Sequence, residues 1–257
     1  MDRTPRRGRS AARIFRVSLV VLFAAALFFL RGGGAPQLQS AESRGGCALD
    51  SRLVPGGEFM MGTTEEMANY IGRLCSRYMG FCNEEWFRVE IPRRPVHLKP
   101  FCIDEYEAPG GKPSQLPLTK HTWNQAAAWC RSRGLRLCTE EEWEKACAGA
   151  EGLNWGFGEK YKLGACNIAE EKVARTGAFG DCITPYGIHD MNGNVAEWVA
   201  DEVDVETAVD RVRKMRVIKG GSSNDLPFFT RCSSREFFPG EHTSDYIGFR
   251  CCSDINR

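Results

Sequence analysis

The chain has 257 residues, 42% of them hydrophobic, and a formal charge of +1, which is enough apolar material to close a full core unaided. The charge is unevenly placed: seven arginines and one aspartate fall within residues 1–31, and without them 27 basic and 32 acidic residues remain, net near −5. A remainder this acidic carries no basic footprint and excludes nucleic acid as a partner.

In chain order, an Arg-rich stretch to Arg16 precedes an apolar run of 14 residues, Val17 to Leu30. The run is too short for a comfortable membrane span and fits the apolar core of a signal peptide. Residues 1–35 are therefore expected to be a signal peptide, with an uncleaved signal anchor as the alternative and the one route to a membrane. Residues 36–52, rich in Gly, Ser and Ala, read as a flexible linker. One domain is expected over 53–254, outside the cytoplasm, periplasmic or secreted.

Residues 54–62 (VPGGEFMMG) read as a short strand between turns. Met67, Tyr70, Ile71, Leu74, Cys75 and Tyr78 recur at helical spacing, so an amphipathic helix with an inward apolar stripe is expected, its end bracketed by Cys75 and Cys82. Val96 to Ile103 reads as a strand. Thr122 with Gln125, and Thr139 with Glu142, are capping boxes that start two helices, stopped by Gly134 and Gly149. Beyond residue 150 glycines and turn residues dominate, with short strand-like runs at Arg216–Lys219 and Ile247–Cys251. So irregular a region needs disulfides or bound ions to hold it. The chain has twelve cysteines and no Cys-x-x-Cys pair, which in an exported protein favours disulfides over zinc or thioredoxin-like chemistry. The four histidines (His97, His121, His189, His242) show no metal-ligand spacing.

Several segments, in order, resemble the sulfatase-modifying-factor (formylglycine-generating enzyme) family. They are Pro55 to Gly62, Thr122 to Ala126, Gly134 to Glu144, Tyr186 to Trp198, Lys219 to Ser222, Arg231 to Arg235 and Gly248 to Cys251. The Asn192-Gly193-Asn194-Val195-Ala196-Glu197-Trp198 stretch is the most specific. The resemblance implies an α+β fold of low regular secondary structure, disulfide-rich and related to the C-type-lectin fold. It also implies two disulfides between the helical part and the C-terminal part, Cys130–Cys251 and Cys147–Cys232. Cys166–Cys182 is a plausible local bridge. On a strand Cys251 and Cys252 face opposite ways, so Cys252 needs a partner of its own, Cys102 or Cys138.

The family's enzyme oxidises a client cysteine to formylglycine with copper held by two cysteines after the Gly-Gly-Ser motif. Here the first of those positions, third after Ser222, is Asp225, and residues 223–231 hold no cysteine. A carboxylate is a hard ligand and does not replace a thiolate for copper(I), so Ser222 and Asp225 mark a vestigial site and copper is not expected. The aromatic residue that precedes the Glu-Trp pair in the enzyme is Ala196 here.

Family members also carry calcium. The resemblance maps one site to the Asp190 and Glu197 carboxylates with the Gly193 and Val195 carbonyls, and half of a second to Asn167 and Ile168, with Asp181 as the remaining candidate. Calcium takes several oxygen ligands from a flexible loop. The plainer alternative is that Asp190 and Asn192 form Asx-turns and Glu197 pairs with an arginine.

The expected function is a non-catalytic binding or scaffold domain of the cell envelope whose partner is a protein, peptide or glycan. Phe228, Phe229, Phe237 and Phe238 would form an apolar recognition patch, unless they simply pack. The alternative is an enzyme of divergent chemistry that oxidises a client cysteine to formylglycine or performs a related protein-maturation oxidation, built on a reactive cysteine outside the disulfides or on acids around Asp225, where His242 and Asp245 would meet it. A purely structural envelope component is the third reading.

Overall fold

The computed structural model describes residues 46–255, apart from 81, 84 and 207–211. The expected export segment and most of the expected linker lie outside the described residues. Among the described residues three sheets and four helices pack around two main apolar clusters, with smaller ones beside them. Strands β1 (Ser51–Val54), β4 (Phe101–Asp104), β5 (Arg136–Leu137) and β10 (Cys251–Asp254) make an antiparallel sheet in the order β1-β4-β10-β5. Strands β2 (Gly57–Met61) and β3 (Arg94–Leu98) pair as a separate ribbon. The third sheet orders β8 (Arg235–Phe238), β7 (Arg213–Lys219), β6 (Ala196–Val205) and β9 (Ile247–Phe249), with β6 and β9 parallel.

The expected single strand over 96–103 is two strands in two sheets. Pro100 has no N–H to give a ladder, and the chain changes sheets there, β3 pairing with β2 and β4 with β1 and β10. The expected run 247–251 splits in the same way at Arg250, between β9 and β10. Order begins earlier than the linker expectation has it: Ser51 and Arg52 already pair with β4, and buried Cys47 is bonded to Cys102.

Helix α1 (Glu65–Met79) is capped by the Thr64 side chain and closed by Gly80 in the left-handed conformation, as cap chemistry favours. Its buried seam is Ala68, Ile71, Gly72 and Cys75, whereas Tyr70 and Tyr78 are 50% and 75% exposed. The expected stripe was thus too wide, because the two tyrosines sit on its edge. A single turn, α2 (Glu85–Arg88), follows. Helices α3 (Trp123–Ser132) and α4 (Glu140–Ala148) both carry the expected capping boxes, reciprocal in each case. Between residues 149 and 195 there is no helix or named strand.

All twelve cysteines are paired. Cys130–Cys251, Cys147–Cys232 and Cys166–Cys182 form as expected, Cys252 takes Cys138, and Cys75 takes Cys82. The bridges Cys130–Cys251 and Cys147–Cys232 span 121 and 85 residues, loops that the chain-entropy model rates at about 4–5 kcal/mol each. Among the described residues no helix is long and apolar enough to cross a membrane.

Candidate binding cleft

The Asn-Gly-Asn stretch, the most specific feature of the sequence, is a buried structural knot. Asn192 receives the Gly156 N–H and donates to the Thr230 carbonyl. Asn194, at φ 57°, donates to both Glu107 oxygens at 2.9 and 3.0 Å and accepts from Asn167 and the Ala174 N–H. Glu197 is clamped by Arg250, whose Nε and terminal nitrogen reach it at 2.7–2.9 Å, and the Trp143 indole donates to the same carboxylate at 2.7 Å. Asp190 accepts from the Gly177 N–H, and burial pushes it up to about 6. Glu107 is also raised, by burial first and then by Asp190 and Glu197.

This arrangement does not fit the expected calcium. The ion needs six to eight oxygens, yet both Glu197 oxygens accept from Arg250, the arginine alternative for that residue. At the second position the Asn167 carbonyl accepts the Asn194 N–H, its amide donates to Lys172 and Asn194, and Asp181 pairs with Lys162 on the surface. Ile168 is buried beside Cys166 and Cys182. No step is derived through calcium.

The segment after Gly220-Gly221-Ser222 forms a tight turn. The Asp225 carboxylate accepts from the Ser222 N–H and hydroxyl, both at 2.7 Å. Gly221 (φ 60°) is needed because a Cβ there would lie 2.6 Å from the Phe229 carbonyl. The close approach seats a short 3-10 turn, Pro227–Phe229, against α1 and α2. The donors this segment offers are hydroxyl and carboxylate, and every thiol of the chain is in a disulfide; the set does not fit copper(I). His242 stacks on Phe238 and Asp245 pairs with Lys120, so neither joins Asp225, and the expected acid–histidine cluster does not assemble.

Asp225 instead lies on the wall of a cleft of about 510 Å³ between the α1–α2 cap and β8. The cap contributes Met79, Glu85, Trp86 and Val89 to its lining, and the core contributes Phe229 and Ser234 to Phe237. Trp86 and Phe229 stand 6.0 Å apart, and Phe229 stacks on Phe87 at 5.5 Å. Burial, with Asp225 beside it, raises Glu236 to about 7. Of the four phenylalanines expected as a patch, Phe229 and Phe237 line the cleft. Phe228 packs in the cap against Tyr78, and Phe238 joins the sheet core. The sequence reading missed Glu85, Trp86 and Glu236, which lie far apart in the chain and carry no motif. The alternation Arg235-Glu236-Phe237 was the one available signal.

The family model described as the sulfatase-modifying factor enzyme 1-like domain matches residues 108–255. The inactive C-alpha-formylglycine-generating enzyme 2 of Bos taurus is 34% identical over 161 residues, covering 56% of this chain and 52% of that protein. The formylglycine-generating enzyme of Mus musculus is 33% identical over 173 residues, covering 55% and 45%. The chain thus spans about half the length of these curated relatives. Among solved structures, Treponema denticola variable protein 1 aligns over 79% of this chain and 94% of its own at TM-score 0.60 and 16% identity. PvdO from Pseudomonas aeruginosa aligns over 80% and 94% at TM-score 0.54 and 20% identity. At these identities the structures speak for the fold alone, the mixed α+β, C-type-lectin-like architecture described above. With the family model covering more than half of the chain, the protein belongs to the sulfatase-modifying-factor family.

Proposed function

We propose that this is a non-catalytic, extracytoplasmic member of its family that binds a protein or peptide partner in the cleft under the α1–α2 cap. One observation carries the reading: where the family's oxidation needs two thiolates, this chain places Asp225, on the wall of an open, aromatic-lined cleft. The similarity to inactive relatives supports it. Six disulfides point to maturation in an oxidising compartment, in keeping with a signal segment at residues 1–35 and a periplasmic or secreted destination.

The test has two arms. The protein is incubated with cysteine-containing peptides and oxygen, with and without copper(I), and aldehydes are captured with a hydrazide; none is expected above the buffer control. A displayed random-peptide library is then selected on wild type and on Trp86→Ala, and sequences enriched by wild type alone are expected. Aldehyde formation overturns the non-catalytic reading, and failure to enrich anything overturns the binding one.

A further inference from the structure

The six disulfides differ in what can reach them. Both cysteines of Cys47–Cys102, Cys130–Cys251, Cys138–Cys252, Cys147–Cys232 and Cys166–Cys182 are at most 2% exposed. In Cys75–Cys82 the first cysteine is fully buried, but Cys82 is only half-buried, the one cysteine among the described residues with open surface. Thiol–disulfide exchange begins with a thiolate reaching a sulfur from outside. Five bridges can therefore react only after the core opens, whereas this one can react in the folded protein.

The bridge also differs in what it holds. It spans 7 residues, so opening it leaves the long loops of the core closed. It ties the end of α1 to the start of α2. Helix α1 stops at Met79, where Gly80 turns the chain in the left-handed conformation. Cys82 is followed by Asn83, whose side chain and carbonyl accept the Glu85 and Trp86 N–H groups, each at 3.0 Å, and so start α2. A helix of four residues does not hold itself. Phe87 anchors it, packed with Ala68, Ile71 and Cys75 and stacked on Phe229. Its ion pairs, Arg88 with Glu65 and Glu85, are exposed and so contribute little. The covalent tie from Cys82 back to Cys75 fixes where the turn begins.

We propose that Cys75–Cys82 is a redox-sensitive bridge, opened in the folded protein by a dithiol reductant, and that its state sets whether α2 is held against α1. In the first step the reductant's thiolate bonds to the Cys82 sulfur, and the Cys75 sulfur leaves and takes a proton. In the second, the reductant's other thiol closes on its own bonded sulfur and releases the Cys82 thiol. One disulfide and one dithiol become two cysteine thiols and one oxidised reductant. The freed Cys75 stays in its apolar pocket beside the Met79 sulfur, 3.6 Å away, placed for reclosure. Glu85 and Trp86, which α2 carries, lose their fixed positions, whatever the neighbouring cleft binds.

The test treats the disulfide-intact protein with dithiothreitol under native conditions. Samples are quenched in acid at intervals, unfolded and alkylated, and the labels are mapped by mass spectrometry. Labels are expected at Cys75 and Cys82 roughly tenfold or more faster than at any other cysteine. In the protein opened at this bridge alone, hydrogen exchange should rise roughly tenfold or more in residues 85–88 while β4 and β10 keep their protection. Oxidised glutathione should restore the original exchange. Cys75→Ala with Cys82→Ala should show the opened exchange pattern without reductant and gain no early label. Labels spread evenly over several bridges, or none short of global unfolding, overturn the selective bridge. Selective opening with unchanged exchange in residues 85–88 overturns its hold on α2.

Discussion

The two sides of the cleft are held by different means. The β8 side belongs to a core riveted across long loops: Cys47–Cys102, Cys130–Cys251, Cys138–Cys252 and Cys147–Cys232 span 55 to 121 residues. The cap side, α1 and α2, lies outside the segment that matches the family model. It has one disulfide, Cys75–Cys82, spanning 7 residues, and a small apolar cluster of Ala68, Ile71, Cys75 and Phe87. The cap is joined to the core by the packing of Phe228 and Phe229 against it and by a buried polar joint. Buried Glu90 receives two bonds from Arg231, at 2.6 and 2.8 Å, and one from Ser233. The contrast teaches that the two sides of the cleft are separable: the β8 side lies within the segment that matches the family model, and the α1–α2 side lies outside it.

The sharpest way to break the contrast is to cut a core rivet. Cys147→Ser with Cys232→Ser should lose about 4–5 kcal/mol of stability in denaturant titration, approaching the whole margin of an ordinary domain. Removing Arg231 tests the joint between the two parts. Arg231→Leu strands the Glu90 charge in the interior and should cost about 3–5 kcal/mol, with hydrogen exchange rising first in residues 65–92. Opening the cap's own bridge is milder. Cys75→Ser with Cys82→Ser should cost about 2–3 kcal/mol, confined to exchange in α1 and α2, with protection of β4 and β10 retained.

A smaller effect concerns Glu236. Its folded value, about 7, lies above the unfolded value near 4.5, so between those pH values the folded state holds more protons and stability falls as pH rises. Glu236→Gln should flatten this fall, which is on the order of 1–3 kcal/mol, in melting temperatures taken from pH 4.5 to 8. The smallest effect is an expected zero: a calcium chelator should leave the melting temperature of the protein unchanged, since Arg250 already neutralises Glu197. A rise on adding calcium would contradict the clamp.

Local chemistry made much of the scaffold legible. Thr122–Gln125 and Thr139–Glu142 announce helix starts because a capping box is a contact between near neighbours. Cys251 and Cys252 announce two different partners because strand geometry sends neighbours to opposite faces. The ten-residue β6 was not legible. Its outer part, Ala200–Val205, is acidic and only half-buried, and pairing with β7 makes it a strand. The Asn-Gly-Asn motif was legible as a family marker, but its side chains do carpentry, tying 154–176 to the core. The cleft was legible only on one side, through Asp225, Phe229 and Phe237; Glu85 and Trp86 were not, since α2, residue 225 and β8 converge in a juxtaposition that no spacing along the chain encodes.

The placement of β10 has a consequence for the order of assembly. This last strand lies between β4 and β5, and its adjacent cysteines, Cys251 and Cys252, close bridges to Cys130 and Cys138. A chain emerging from synthesis or translocation therefore waits for residues 251–254 before β4 and β5 are joined in one sheet. Until then Cys130 and Cys138 lack their native partners and stand open to wrong pairings.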